Sequence, residues 1–178
     1  MKYVFSSIKK ILNVIQIMED SICIIGTWAC SILIFLGVIN RYLFHIPIMW
    51  FSDLGLYIFI FYIMFSIAAT TRERSHTAGD VLRSKLFEGK PRADTIYSIF
   101  LNIVSIVAVV IFLPVTWKFM LRAMKYPEYG TLATWFNTSW LQSALFFIVI
   151  LILIHIFDWL IKDIIKLKKI DYKMKGGE

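Results

Sequence analysis

The amino-acid sequence predicts an all-α membrane protein with four transmembrane helices and both chain termini in the cytoplasm. Hydrophobic residues make up 59% of the 178 residues, and the mean hydropathy is +0.73. Charged residues make up 17%, whereas soluble domains carry about 25%. The charges lie in clusters separated by four uncharged stretches, each close to the length of about 20 residues that a helix needs to cross a bilayer.

Each uncharged stretch is expected to form one span, because an α-helix satisfies its own backbone hydrogen bonds in hydrocarbon. The predicted spans are residues 21–40, 51–71, 95–117 and 135–158. The first stretch is too long for a signal peptide and no small-residue cleavage motif follows it, so it is expected to be retained. Pro114 lies late in the third span, where it is expected either to kink the helix or to mark its outer end.

Small residues within the first two spans predict close helix contact. Two pairs stand four positions apart: Gly26 with Cys30, and Ser66 with Thr70. Cys23 and Cys30 would lie about 10 Å apart along a helix axis, which is too far for a disulfide. We therefore interpret both cysteines as packing residues.

Residues 1–20 predict an amphipathic arm that lies in the headgroup plane beside the first span. Apolar residues recur there at helical spacing, and lysines on the opposite face would meet anionic lipid. The arm residues are Ile8, Lys9, Lys10, Ile11, Leu12 and Ile15. A simple extension of the first span into the cytoplasm produces the same pattern, so both interpretations stay open.

The remaining segments connect or follow the spans within a single membrane domain. Residues 72–94 connect the second and third spans, residues 118–134 connect the third and fourth, and residues 159–178 form a basic tail. Residues 77–80 resemble a capping box, which predicts a short surface helix that ends at residues 89–91.

The distribution of lysine and arginine predicts the orientation. The N-terminal segment has three such residues, the 72–94 connection has six and the tail has six, a total of 15. The opposite side has four, namely Arg41, Lys118, Arg122 and Lys125. Because cytoplasmic loops carry the excess of positive charge, both termini are expected in the cytoplasm and residues 118–134 in the periplasm.

No catalytic constellation is visible in the sequence, so neither an enzyme activity nor a cofactor is predicted. His76 and His155 lie near the expected cytoplasmic face, where in principle they suit a haem or a metal. Such ligands normally lie within a bundle and have oriented partners. We therefore interpret both histidines as polar residues at an interface and keep a haem protein as an alternative.

The spans carry no visible route for an ion or a solute. Ionisable groups in spans usually have a function, because they are costly in hydrocarbon, and the first, third and fourth span interiors have none. Asp53 and Arg41 flank the short hairpin between the first two spans. They either pair across it or anchor their helix ends separately. The chain is therefore expected to be a transporter component, with a self-sufficient four-helix ion-coupled transporter as the alternative.

A series of residues from the end of the first span to the end of the second resembles the small permease subunit of tripartite ATP-independent periplasmic (TRAP) transporters. The matching residues are Asn40, Arg41, Tyr42, Leu43, Phe44, Trp50, Asp53, Tyr57, Phe61, Ala68, Ala69, Arg72, His76 and Asp80. The motif covers residues 40–80, and the rest of the chain agrees in layout. The chain departs from the family in having Ser52 before a single Asp53, where two adjacent acids are common.

The resemblance implies a scaffold subunit in the bacterial inner membrane. In that family a large permease subunit holds the substrate and sodium sites and moves beside the static small subunit. A periplasmic binding protein delivers an organic acid such as a C4-dicarboxylate or sialic acid. Membrane lipid is a further expected partner, and no nucleic acid is expected.

The resemblance also implies two sets of structural or partner-interface positions. One set would shape the outer hairpin near the large subunit or the docked binding protein, and the other would fix the turn into the cytoplasmic connection. These positions are Arg41, Trp50 and Asp53 at the outer hairpin, and Arg72, His76 and Asp80 at the turn.

Overall fold

The computed structural model describes residues 2–45, 48, 50–74 and 87–175, with the side chains of residues 12–45, 48, 50–74 and 87–172. Its elements are α1 (Lys2–Ile39), a π-helical turn (Asn40–Phe44), α2 (Trp50–Glu73), α3 (Pro91–Lys125) and α4 (Ser139–Lys175). All four α-helices are long and apolar enough to cross a membrane. Since the described residues contain no strand beyond one isolated bridge, the predicted all-α class and the four spans are confirmed.

Three of the helices extend well beyond the predicted spans. Residues 159–175 of the basic tail continue α4, and α3 runs from Pro91 to Lys125. The prediction ended each span where charges begin, but Lys, Arg and Glu are good helix formers and do not end a helix. A hydropathy boundary therefore marks a change of surroundings rather than a helix end.

The predicted N-terminal arm is not a separate helix, because residues 2–20 are continuous with the first span inside the 38-residue α1. Residues 2–25 contain neither Gly nor Pro, so no backbone signal interrupts the helix. This continuity agrees with the alternative of a simple extension. Whether the segment lies in the membrane plane stays a prediction.

Pro114 lies inside α3, which continues to Lys125, so it does not mark the end of that helix. The predicted surface helix that starts at residues 77–80 lies outside the described residues.

The four helices pack in a row rather than in a closed bundle. The helix α1 packs on α2, α2 packs on α4, and α4 packs on α3. The outer pairs, α1 with α2 and α3 with α4, run antiparallel, whereas the central neighbours α2 and α4 run parallel. The inner position of α4 gives it more buried surface, since 22% of its most apolar segment is buried, against 6% for α1 and for α3. The two edge helices therefore expose broad apolar faces.

The row has two ends, which are named here by what they contain. The terminal end holds both chain termini and the α2–α3 connection, and the hairpin end holds the α1–α2 and α3–α4 connections. Between the ends, α1 and α2 approach so closely that a Cβ atom on Gly26 would lie 2.3 Å from Tyr62 Cβ. Cys23 and Cys30 are free thiols in this same seam, as predicted.

Candidate functional site

Polar side chains from all four helices meet at the terminal end and form what we call the terminal network. Its members are Glu19 and Asp20 of α1, Arg72 and Glu73 of α2, Arg74 just beyond α2, Asn102 of α3, and His155, Trp159 and Asp163 of α4. Two directly bonded members, Glu19 and His155, are 136 positions apart in the sequence. The packing of the row brings them to one level, because α1 and α3 begin at the terminal end and α2 and α4 end there.

Arg72 is the centre of the network. Its Nη1 donates to Glu19 Oε2 at 2.8 Å, and its Nη2 donates to Asp20 Oδ1 at 2.7 Å and to Glu73 Oε1 at 3.3 Å. The planar guanidinium suits this task, since its forked donors bind several carboxylates in a fixed geometry. Arg72 thereby joins the last turn of α2 to α1.

Glu19 and His155 join α1 to α4 beneath this arginine. His155 Nε2 lies 2.7 Å from Glu19 Oε1. Both residues are buried, since Glu19 is 1% exposed and His155 is 3% exposed. Both carboxylate oxygens of Glu19 are therefore bound, one by Arg72 and one by His155. A buried carboxylate requires such partners, because removing it from water is costly.

Trp159 holds the C-terminal end of α2. Its indole N–H donates to the Arg72 carbonyl oxygen at 2.9 Å, which satisfies one of the carbonyls that a helix end leaves unpaired. Arg74, in the left-handed conformation at φ 55°, then turns the chain out of the helix. Its guanidinium lies 4.0 Å from the centre of the Trp159 ring, a cation–π contact.

Asp163 brings α3 into the network. Its Oδ2 accepts hydrogen bonds from Arg74 and, at 2.9 Å, from Asn102 Nδ2. The carboxylate is almost fully buried, so it too needs these donors. The side chains of the terminal network thus bind residues of four different helices to one another.

A second and simpler arrangement, which we call the Asp53 clamp, lies at the hairpin end. Asp53 Oδ2 accepts hydrogen bonds from the backbone N–H groups of Leu132 at 2.6 Å and Ala133 at 3.2 Å. Tyr57, one turn along α2, donates its hydroxyl to the same oxygen at 3.3 Å. One carboxylate on α2 therefore fixes the connection between α3 and α4.

The clamped connection is itself folded. Phe136 stacks on Tyr57 with ring centres 5.5 Å apart and planes 6° from parallel. The Gly130 N–H donates to the Phe136 carbonyl at 3.0 Å, and Phe136 N–H donates to the Ala133 carbonyl at 2.9 Å. A Cβ on Gly130 would lie 2.8 Å from both the Ala133 carbonyl oxygen and the Tyr57 hydroxyl, so the close approach requires glycine.

The predicted site residues fall into three groups. Arg72 is in the terminal network and Asp53 is in the clamp, while Trp50 packs edge-on against Trp135 with ring centres 6.2 Å apart. Arg41 is exposed, and within the described part of the chain no ion pair joins it to Asp53. The alternative in which Arg41 and Asp53 pair is therefore wrong. His76 and Asp80 lie outside the described residues.

Of the six arm residues, the structure describes the side chains of two. Leu12 and Ile15 are both half-buried in α1. For Ile8, Lys9, Lys10 and Ile11 it describes the helical backbone alone.

The sequence did not reveal the environment of His155, which was interpreted as an interfacial residue and is instead buried against Glu19. Because its Nε2 is engaged by that carboxylate, the geometry does not favour His155 as a haem ligand. Among the described residues, no group of three or more His, Cys, Asp or Glu side chains is arranged to hold a metal ion. The polar groups of the terminal network bind one another, which is an arrangement suited to joining helices.

Residues 30–165 match the model of a family described as DctQ: tripartite ATP-independent periplasmic transporters, DctQ component. The matched range includes the whole Asp53 clamp and all of the terminal network except Glu19 and Asp20. Curated proteins gave no match.

Proposed function

The chain belongs to the DctQ component family of tripartite ATP-independent periplasmic transporters, and from this membership we propose that its four helices form the fixed scaffold for the large permease subunit of such a transporter. Membership of the family makes the chain the small membrane subunit of a TRAP transporter rather than an enzyme. The static role is the further step that we propose.

The terminal network is the observation that carries this proposal. Ionisable groups on a transport pathway must exchange partners with an ion, a proton or a solute. In the network, Glu19 binds Arg72 and His155, and Asp163 binds Arg74 and Asn102. These contacts cross from helix to helix, so moving one helix past another would break buried charge pairs. The network therefore supports a rigid body rather than a moving one.

The edge helices support a second part of the proposal. Residues such as Trp28 and Phe35 of α1 and Ile111 of α3 are more than half exposed. Exposed apolar side chains on membrane helices contact lipid or another membrane subunit. We propose that one broad face of the row packs against the large permease subunit and the other faces lipid.

On this proposal, the sites for the substrate and for its driving ion lie in the partner proteins. The large subunit would carry out sodium-coupled uptake of an organic acid, of the C4-dicarboxylate or sialic acid class, which a periplasmic binding protein delivers. The terminal end, which holds most of the Lys and Arg residues, would lie in the cytoplasm of a bacterial inner-membrane protein. The hairpin end with its Asp53 clamp would then face the delivering protein.

Reconstituted transport tests the division of labour. Liposomes would contain this chain, the large permease subunit, or both, with the binding protein and a radiolabelled acid outside and an inward sodium gradient. We expect uptake when both membrane subunits are present and none with this chain alone. Uptake by this chain alone would overturn the proposal in favour of a self-sufficient transporter.

A disulfide between α1 and α2 tests the static role. Cys23 Sγ lies 3.8 Å from Ser66 Oγ, so Ser66→Cys combined with Cys30→Ser places a single thiol pair at bonding reach. We expect the oxidised double variant, in complex with the large subunit, to transport as fast as its reduced form. The Cys30→Ser variant alone controls for the oxidant, and a loss of transport confined to the oxidised pair would show that the helices must move.

A further inference from the structure

A groove lies between α1 and α2 at the hairpin end, and neither the terminal network nor the Asp53 clamp uses it. Its volume is about 810 Å³. Apolar side chains line most of it, among them Leu33, Ile34 and Phe59. Gly37 and Gly55 open its two walls, since a Cβ at either position would meet no atom within 4 Å. The groove is therefore wide enough to admit a hydrocarbon chain.

The mouth of the groove differs from its interior. Arg41 and His45 line it at the hairpin end and are both exposed. The described contact of the Arg41 guanidinium is the Tyr42 ring, whose centre is 6.0 Å away, and the described residues contain no acid within ion-pair distance of it. The nearby carboxylate of Asp53 is engaged by the α3–α4 connection. The mouth thus presents a cation to whatever the groove holds.

The length of the groove follows from the helical rise of the α1 residues that line it. From Cys30 to Arg41 the helical rise is about 16 Å, which is close to half the hydrocarbon thickness of about 30 Å. The apolar part therefore has the length of one leaflet, and the cation stands where the headgroups of that leaflet begin.

We propose that this groove is a phospholipid site, in which Arg41 binds the phosphate, His45 donates beside it, and one acyl chain lies along Gly37 and Gly55. Charge complementarity favours this occupant over a helix of a partner protein, because a guanidinium at one end of an apolar groove matches a phosphodiester joined to an acyl chain. The inference does not depend on the scaffold role, since every residue that it uses belongs to this chain.

Lipid binding to the full-length chain tests the site. The protein would be delipidated in mild detergent, titrated separately with phosphatidylethanolamine, phosphatidylglycerol and diacylglycerol, and examined by native mass spectrometry. We expect one tightly bound molecule of either phospholipid. Diacylglycerol, which lacks the phosphate, should bind about tenfold or more weakly, as expected for the loss of a charge-assisted hydrogen bond.

Two kinds of variant separate the phosphate contact from the acyl contact. Arg41→Gln should remove the preference for phospholipid over diacylglycerol, whereas Lys118→Gln, an exposed cation that does not line the groove, should leave it unchanged. Gly37→Leu and Gly55→Leu should weaken the binding of all three lipids, because the new side chains fill the groove. Ala108→Leu on the exposed face of α3 is the matched control.

Folding does not confound these variants, since Leu has a higher helix propensity than Gly and a Cβ at either position meets no atom within 4 Å. Equal binding of diacylglycerol and phospholipid by the unaltered chain would overturn the proposal. So would unchanged lipid binding in the Gly37→Leu and Gly55→Leu variants. If these two variants keep the lipid but no longer co-purify with the large permease subunit, the groove receives a partner helix and the proposal is wrong.

Discussion

The terminal network and the Asp53 clamp stabilise the same helix row from opposite ends by different kinds of contact. In the network, side chains bind side chains across four helices, and the central carboxylate, that of Glu19, is buried. In the clamp, a single carboxylate binds backbone N–H groups of a connection that is largely exposed. The first arrangement sets how helices lie against one another, and the second sets the shape of one loop.

The difference predicts how far a local change should spread. Breaking a buried charge pair leaves a charge without a partner in a low-dielectric setting, and the cost falls on the whole row. Breaking the clamp releases the backbone N–H groups of a single connection, and water can reach that of the exposed Leu132.

Arg72→Gln should have the largest effect. It removes the cation from Glu19 and Asp20, and breaking a buried pair in this way costs about 3–5 kcal/mol. The free energy of unfolding in detergent measures the loss. If the charge left on Glu19 is the cause, adding Glu19→Gln to Arg72→Gln should recover part of the stability, and a double variant no more stable than the single one would contradict the buried-pair explanation.

Asp53→Asn should have an intermediate and local effect. The amide retains one acceptor oxygen but loses the charge that strengthens the bonds to Leu132 and Ala133, so the loss of stability should be smaller than that of Arg72→Gln. Hydrogen exchange should become faster at these two amides and stay unchanged in the middle of α4. Glu128→Gln is a matched control in the same connection, since that carboxylate binds the side chain of Gln142 rather than backbone. Faster exchange throughout α4 would show that the clamp also supports the helices.

Lys162→Gln should have the smallest effect. Lys162 pairs with Asp158 at 2.6 Å, one turn away on α4, but its side chain is 54% exposed. Exposed pairs of this spacing contribute less than about 0.5 kcal/mol. The unfolding free energy should therefore hardly change, and added salt should affect the unaltered chain and the variant alike. A loss as large as that of Arg72→Gln would mean that burial does not explain the contrast.

Much of the fold could be predicted because the relevant signal is local. Each span is a run of contiguous apolar residues, and the bilayer imposes a helix on any such run. The helix ends could not be predicted in the same way. In α4, helix formers such as Lys166 and Lys169 continue the helix after the apolar run has ended.

The candidate site could be predicted in part. Arg72 and Asp53 were identified through a family resemblance, but the partners of each were not. Glu19 looked like a charge at a span boundary, and His155 like an interfacial residue. No local sequence pattern predicts that Glu19 and His155 bind each other, because they are 136 residues apart and meet only once α1 and α4 are in place.

Residue types and their spacing along the chain were enough to establish the class of the protein, the number of its spans and its family. The order α1, α2, α4, α3 of the helices in the row, and hence which charges become buried together, is visible only in the folded chain. Hydropathy indicates whether each segment lies in lipid or in water, whereas the pairing of a buried charge depends on which distant helix brings a partner to the same depth.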